Sequence, residues 1–355
     1  MENFKKFYNL GFDENIEENL PFSEFQKKIL LKDVRDAAYN FISTSTVYNN
    51  SNYSRYFIMS FMIRYYNKSI LVKDIFTPIY FLAKSVIISY IKLNENYDMY
   101  IQTFRYYFEK YVNYYDKWKE KEKQIMVNQL LIQYFDIKNT LNQTYEELYK
   151  TVLNEQQNKI EKYIKIQGCE YKIEKLQKEN PEIKNILIKL NEENKTGFEY
   201  QGTILEIIGK KAFWDNFVKL LKENDTEKAN IIIYDVISNF VVKLKNLIPN
   251  RIDLHKYYDE YYDIEYIKQL IDNKAFDYKA MIKLINFSME ELQKLDSAYG
   301  CKKIQNWLDD WEIISECYFD IHEVLPYALR DIINKVEQTE YITNIIKNNL
   351  KNDNI

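Results

Sequence analysis

The stretch that decides the fold is Ile101–Ile125, with the sequence IQTFRYYFEKYVNYYDKWKEKEKQI. Large apolar side chains recur in it every three or four residues, at Ile101, Phe104, Phe108, Tyr111, Tyr115, Trp118 and Ile125. Glu122 fills the one position that breaks the pattern. This spacing matches the 3.6 residues per turn of an α-helix and places the side chains on one face. We therefore predict a long helix whose aromatic seam, Ile101–Trp118, packs in the core against a neighbouring antiparallel helix.

The composition extends this prediction to the whole chain. The 355 residues include only 6 glycines and 5 prolines, whereas 46% are hydrophobic and 16% aromatic. β-sandwiches, barrels and doubly wound α/β folds need more glycine and proline at their turns. We therefore predict an all-α protein of packed antiparallel helices, a bundle or irregular helical array, without significant sheet. The heavy use of Ile, Asn, Lys and Tyr is typical of an AT-rich genome, such as that of a large DNA virus or some protists.

The charge balance argues against a dedicated nucleic-acid binder. The 49 Lys and Arg residues are outnumbered by 53 Asp and Glu residues, for a net charge of −4 at pH 7. A protein that displaces counterions from nucleic acid normally carries a basic excess. The run Lys117–Lys123 (KWKEKEK) alternates in sign, which is typical of a solvated helix face. We predict no nucleic-acid partner.

The cysteines and the N-terminus indicate the cytoplasm. Cys169, Cys301 and Cys317 are odd in number and lack CxxC spacing, so the sequence predicts neither a disulfide framework nor a zinc site. Residues 1–20 contain no uninterrupted apolar segment of the kind found in signal peptides. We expect free thiols in a reducing compartment.

One segment is nearly apolar enough to span a membrane. Ile75–Leu93 approaches the required length of about 20 residues. Lys84 lies at its centre, where a charge costs about 2.5–3.5 kcal/mol on insertion, and Pro78 suits the first turn of a helix. We predict a buried helix and no membrane span.

The distribution of glycines predicts where the chain divides into two parts. Three of the six glycines, Gly197, Gly202 and Gly209, fall between Asn191 and Lys210. We predict an N-terminal helical half, residues 1–195, a glycine-containing linker, residues 196–210, and a C-terminal helical half, residues 211–355. Residues 154–194, rich in Glu, Lys, Gln and Asn, are predicted to form exposed helices rather than a packed core, with Gly168 ending one of them.

The C-terminal half contains an ordered series of motifs. In sequence these are KAFWDNFVKLL at 211–221, a helix over Ala229–Leu247, LIPNRIDL at 247–254, DIEYIKQ at 263–269, AFD at 275–277 and a helix ending near Leu295. This order resembles the T-complex protein 11 (Tcp11) family, as do SRYFIMSFMI at 54–63 and the aromatic stretch Tyr111–Trp118. The chain differs from the family at Ser297–Gly300, where the family commonly has P-x-R-D, and in its shorter last stretch.

The resemblance implies an adaptor rather than an enzyme. It implies an all-helical regulatory protein linked to signal transduction, particularly the cyclic-AMP and protein kinase A pathway. The expected mechanism is recognition of a protein partner by helices and grooves. On this interpretation no residue is assigned a catalytic, cofactor-binding or metal-binding role, no cofactor is expected, and the oligomeric state is open.

The matching motifs also have a purely structural explanation. Pro249 should end the preceding helix, because the residue before a proline disfavours helical geometry. Asp263 and Asp277 each precede an apolar-periodic stretch, as N-cap residues do. We predict that both aspartates cap helices rather than bind a ligand.

Residues suited to catalysis are scarce. His255 and His322 are the only histidines, and the second has acidic residues nearby, at Asp309, Asp310, Glu312, Asp320 and Glu323. A second acidic cluster comprises Asp259, Glu260, Asp263 and Glu265. Carboxylates perform acid–base chemistry when burial perturbs their pKa values, so a carboxylate-based enzyme is one alternative. A self-associating helical scaffold, for instance a viral one, is the other. Trp307 and Trp311, four residues apart, are predicted to be a core stripe.

Overall fold

The structure, a computed structural model, describes residues 1–13, 16, 20–71, 76–143, 145–180, 182–194, 203–273, 275 and 278–352. Over these ranges every regular element is a helix, and no described residue belongs to a β-strand. The prediction of an all-α helical array is confirmed. The predicted cap Asp277 lies outside the described residues.

The described helices are named in chain order, first those up to residue 143 and then those after it. The earlier ones are α1 (Glu2–Tyr8), α2 (Phe22–Lys28), α3 (Lys32–Ser45), α4 (Ser51–Tyr65), α5 (Asn67–Ile70), α6 (Pro78–Lys92) and α7 (Tyr97–Gln143). The later ones are α8 (Glu147–Ile166), α9 (Tyr171–Glu179), α10 (Ile183–Asn194), α11 (Ile204–Lys222), α12 (Thr226–Leu247), α13 (Ile252–Tyr262), α14 (Ile264–Asp272), α15 (Tyr278–Lys294), α16 (Ala298–Ser315) and α17 (Ile321–Asn352).

Contacts group the chain into two compact units. Unit 1 comprises Met1–Tyr111 and Gly197–Ile355, and unit 2 comprises Val112–Thr196. This grouping differs from the predicted halves 1–195 and 211–355. The physical reason is that α6, from the first part of the chain, packs against α16, from the last part.

The first part of unit 1 has a core built from aromatic rings. Its helix α4 packs against both α3 and α6, and α1 packs against α3. The rings at its centre are fully or almost fully buried, and they belong to Phe4, Phe7, Phe41, Phe57, Phe61, Tyr90, Phe104 and Phe108. Neighbouring rings meet at tilted or edge-to-face angles, the arrangement that aromatic quadrupoles favour.

The aromatic seam lies in the core, as predicted. The six periodic residues of the seam, and Ile125 after it, are all less than 10% exposed. The ring of Phe104 lies 5.2 Å from that of Phe41, and the ring of Phe108 lies 6.1 Å from that of Phe57. In unit 1 the three- and four-residue spacing at Phe104 and Phe108 therefore marks burial against α3 and α4 rather than a surface for a partner.

The remainder of unit 1 is organised around α17. This helix packs against α11, α12 and α15, and α15 in turn packs against α16. Helix α12 ends at Leu247, and Ile248 leaves the helical region at φ −129° and ψ 55°. Because Pro249 follows directly, this end confirms the predicted effect of the proline on its preceding residue.

Unit 2 has its own small core, which corrects one prediction. Val127, Leu131 and Phe135 of α7 are buried together with Ile164, Ile173, Leu176, Ile186 and Leu190 from α8, α9 and α10. The prediction that residues 154–194 lack a packed core is therefore wrong. Their apolar residues are sparse, but the second part of α7 supplies the other side of the core.

The glycine-containing region is only partly a connection. Gly197 and Gly202 lie outside the described residues, whereas residues 204–210 of the predicted linker form the start of α11. Thr203 and Glu206 build a reciprocal capping box there, with the Thr203 N–H donating to Glu206 Oε2 at 2.7 Å. Gly168 has a φ of +69° just after α8, so the predicted helix break at this residue is confirmed.

Candidate functional site

A largely buried group of charges in unit 1 surrounds Lys84. Helix α6 is buried over most of its length, and Lys84 is only 3% exposed. Its Nζ donates to Glu323 Oε2 at 2.5 Å and to Asp320 Oδ2 at 2.8 Å. Glu323 is also buried, whereas Asp320 reaches solvent. The charge at the centre of the predicted buried helix is therefore paired with two carboxylates.

Local backbone geometry fixes both carboxylates at the start of α17. The Glu323 N–H donates to the Asp320 carbonyl at 2.9 Å, and the Asp320 N–H donates to Glu323 Oε2 at 3.0 Å. A glutamate three residues into a helix commonly reaches back in this way. The Tyr318 N–H also donates to Ser85 Oγ at 2.8 Å, which holds the approach to α17 against α6.

Two further side chains extend the cluster. The Tyr80 hydroxyl donates to Glu323 Oε1 at 3.3 Å, and Arg64 Nη1 donates to the Tyr80 oxygen at 2.5 Å. Burial raises the pKa of Tyr80 above its usual range, so the phenol stays neutral. The hydrogen bond from Lys84 lowers the pKa of Asp320. The cluster is thus a connected hydrogen-bond network in which Tyr80 stays neutral and the ionised form of Asp320 is favoured.

One subset of this cluster has the residue types of a metal site. Asp320, His322 and Glu323 offer ligand atoms within 4.8 Å of one another. The Lys84 ammonium, however, donates to both carboxylates, and a divalent cation would have to displace it. The geometry indicates a structural ion pair that ties α6 to α17.

The second acidic cluster singled out from the sequence is distributed among structural roles. Asp259 forms an ion pair with Lys245. Asp263 ends α13 with a φ of +31°, and its Oδ1 accepts the Tyr266 N–H at 3.0 Å, which confirms its predicted capping role for α14. Glu260 and Glu265 lie at exposed positions of α13 and α14. Asp259 and Asp263 therefore stabilise the ends of helices.

The other predicted candidates also bond within the fold. His255 Nε2 lies 3.0 Å and 3.2 Å from the carbonyls of Ile248 and Lys245, at the end of α12. Asp309 accepts from Gln305 at 2.8 Å. Trp311 is buried and stacks on the half-buried Trp307 with 5.3 Å between ring centroids, so the predicted core position is confirmed for Trp311.

The sequence did not predict a row of buried polar residues along α17. The row comprises Glu323, Asp331, Lys335 and Thr339, spaced by multiples of four residues on one face. Asp331 accepts from Trp307 Nε1 at 2.9 Å, and Lys335 forms a buried ion pair with Asp296. Their four-residue spacing was visible in the sequence, but polar residues at that spacing are usually taken for a solvated face.

A small cavity lies between α12, α15 and α17. Its walls include Phe240, Tyr262, Met281 and Leu329, and it has room for about one water molecule. Sites for small-molecule ligands usually enclose about 300–1,000 Å³. The cavity is therefore a packing defect rather than a substrate pocket.

An exposed apolar surface lies at the start of α11. Leu205 is 80% exposed and Ile208 is 59% exposed, and the exposed Ala212 follows on the same face. The spacing i, i+3 and i+7 places these three residues in one stripe, with Gly209 between them. Trp214 and Phe217 of the same helix are buried instead. We call Leu205, Ile208, Gly209 and Ala212 the α11 surface.

Comparisons with known proteins leave the function to be argued from the structure itself. No protein-family model matches the chain, and neither a curated protein nor a solved structure does. Within the described ranges, each helix is too short or too polar for a transmembrane segment.

Proposed function

We propose that the protein is a non-enzymatic adaptor that binds another protein through the α11 surface. The observation that carries this proposal is the exposure of Leu205 and Ile208 on one face of a capped helix. The charges around Lys84 are engaged in internal ion pairs, whereas this apolar stripe faces water.

The free energy of burying apolar side chains favours a partner that covers the α11 surface. Removing a leucine or isoleucine side chain from water contributes about 1.5–3 kcal/mol. Residues at i, i+3 and i+7 are the contacts with which an amphipathic helix enters an apolar groove. Gly209 leaves open space around its Cα, so a partner backbone could approach closely there. The fitting partner presents an apolar groove about two helical turns long.

The class of partner comes from the sequence resemblance. The T-complex protein 11 family is implied by the motifs between residues 211 and 295, and with it a role in cyclic-AMP and protein kinase A signalling. In this proposal the partner is a component of that pathway, such as the kinase regulatory subunit. The free cysteines, of which Cys169 and Cys317 are buried, suit the cytoplasm, where we place the protein.

A quantitative affinity capture tests the proposal. The tagged full chain, the variant Leu205→Glu/Ile208→Glu and the control Val47→Glu/Met99→Glu are compared, since Val47 and Met99 are also exposed apolar residues of unit 1. We expect the wild type and the control to recover a kinase regulatory subunit and the α11 variant to lose it. Equal recovery by all three, or recovery of no kinase component, would contradict the proposal.

A further inference from the structure

Helix α8 has an apolar face that does not face the core of unit 2. Leu153 and Ile164 of this helix are buried. Leu148, Val152, Tyr163 and Ile166 are instead 45–79% exposed. At 100° per residue these four residues fall within a 60° arc, so they form one stripe along the helix. We call them the α8 stripe.

The α8 stripe is symmetric about its own midpoint. Leu148 and Ile166 lie nine residues before and after Gln157, and Val152 and Tyr163 lie five before and six after it. The centre of the same face holds two exposed charges of opposite sign, Glu155 two residues before this midpoint and Lys159 two residues after it. Apolar residues at the ends and one charge of each sign at the centre make the pattern self-complementary.

This symmetry indicates that the partner of the α8 stripe is a second copy of the chain. In an antiparallel pair with a two-fold axis at the level of Gln157, Leu148 faces Ile166 of the second copy, and Val152 faces its Tyr163. Each Glu155 then meets Lys159 of the second copy, which gives two equivalent ion pairs. A parallel pair would instead place Glu155 beside Glu155 and Lys159 beside Lys159. The charges and the opposed helix dipoles both favour the antiparallel arrangement.

We propose that two copies of this protein associate through antiparallel pairing of their α8 helices along the α8 stripe. Among the residues that the structure describes, neither Glu155 nor Lys159 has an ion-pair partner within the chain, so both are free to pair across the interface. The 20-residue helix is about 30 Å long, which limits the contact to a small interface and predicts reversible association. The α8 stripe and the α11 surface share no residue, so this proposal does not depend on the proposed function.

Sedimentation velocity of the full chain over a range of concentrations tests the proposal. We expect a monomer–dimer equilibrium that Leu148→Glu/Ile166→Glu weakens at least tenfold, while the control Val47→Glu/Met99→Glu leaves it unchanged. Thermal melts verify that each variant is folded. A wild-type chain that stays monomeric at about 100 μM, or a dimer that the stripe variant does not weaken, would overturn the proposal.

Charge reversal tests the antiparallel geometry without removing apolar contacts. Glu155→Lys and Lys159→Glu should each weaken the dimer, because each variant places like charges across both central contacts. The double variant Glu155→Lys/Lys159→Glu should restore it, and a mixture of the two single variants should form a heterodimer. If neither the double variant nor the mixture recovers association, the antiparallel pairing is wrong.

Discussion

The ammonium group of Lys84 lies 2.5 Å from the carboxylate of Glu323, although the two residues are separated by 239 positions in the chain. Both side chains are buried, and the pair joins the most apolar helix of the first part of unit 1 to the start of α17. A charge that would be costly in the middle of an apolar helix is thereby neutralised within the fold.

Removing the Lys84 charge should destabilise the protein strongly. Lys84→Met leaves Glu323 buried without its counter-charge, which costs about 3–5 kcal/mol. Urea denaturation measures this loss of unfolding free energy. The double variant Lys84→Met/Glu323→Gln should recover a large part of it, because no unpaired charge remains. A double variant no more stable than the single one would contradict this account.

The contribution of Asp320 should depend on pH. Its pKa in the folded protein is lowered by the hydrogen bond from Lys84, so its ionised form is favoured by folding. This stability is fully present above the unfolded-state pKa of about 3.9 and is lost as the pH falls through the lower folded-state pKa. Asp320→Asn should therefore be less stable than the wild type at pH 6, and this difference should shrink as the pH falls below about 3.9. A difference in unfolding free energy that is constant with pH would refute this assignment.

Alanine at Gly300 and alanine at Gly209 should change the unfolding free energy in opposite directions. A Cβ at Gly300 would overlap the carboxylate of Asp296, which is held by its buried ion pair with Lys335. Gly300→Ala should therefore lower the unfolding free energy by about 1–3 kcal/mol. A Cβ at Gly209 meets open space within a helix, so Gly209→Ala should raise it by up to about 1 kcal/mol. Thermal melts of both variants check the signs.

The buried hydroxyl of Tyr90 should be dispensable. Tyr90 is fully buried among aromatic rings, and its hydroxyl has no hydrogen-bond partner among the described residues. Tyr90→Phe removes an unsatisfied polar group and should raise the unfolding free energy by about 1 kcal/mol. Tyr262→Phe is the matched control, because its buried hydroxyl lies 2.8 Å from Ser288 Oγ. That variant should lose about 1 kcal/mol, and the reverse order of stabilities would count against the description of both sites.

The aromatic seam provides the test of the core of unit 1. Phe108 is fully buried and stacks on Phe104 with 5.6 Å between ring centroids. Phe108→Ala should cost about 3–5 kcal/mol in a denaturant titration. Met99→Ala, at an exposed position of the same helix, should change the unfolding free energy by less than about 0.5 kcal/mol. Equal stability of the two variants would mean that the seam faces outward.

Local signals in the sequence predicted the parts of the fold that depend on neighbouring residues. The spacing of Phe104 and Phe108 predicted burial, Pro249 predicted the end of α12, and Asp263 predicted a cap. Each of these effects acts within one or two helical turns. The same signals correctly placed Trp311 in the core.

Features that depend on distant contacts were not predicted. The partners of Lys84 lie more than 230 residues away, and nothing in the α6 sequence indicates which carboxylates they are. The core of unit 2 was missed because α7 supplies residues that the sparse sequence of α8–α10 lacks. The α11 surface was missed because glycine content assigned Leu205, Ile208 and Gly209 to a linker, whereas the capping box of Thr203 and Glu206 begins a helix there.

Isothermal titration calorimetry of the full chain with a purified regulatory subunit of protein kinase A tests the proposed adaptor function most directly. The account predicts saturable binding with a Kd on the order of 1 μM, weakened at least tenfold by Ile208→Glu and unchanged by Val47→Glu. The absence of binding by the folded wild-type chain at about 100 μM, or equal binding by both variants, would contradict it.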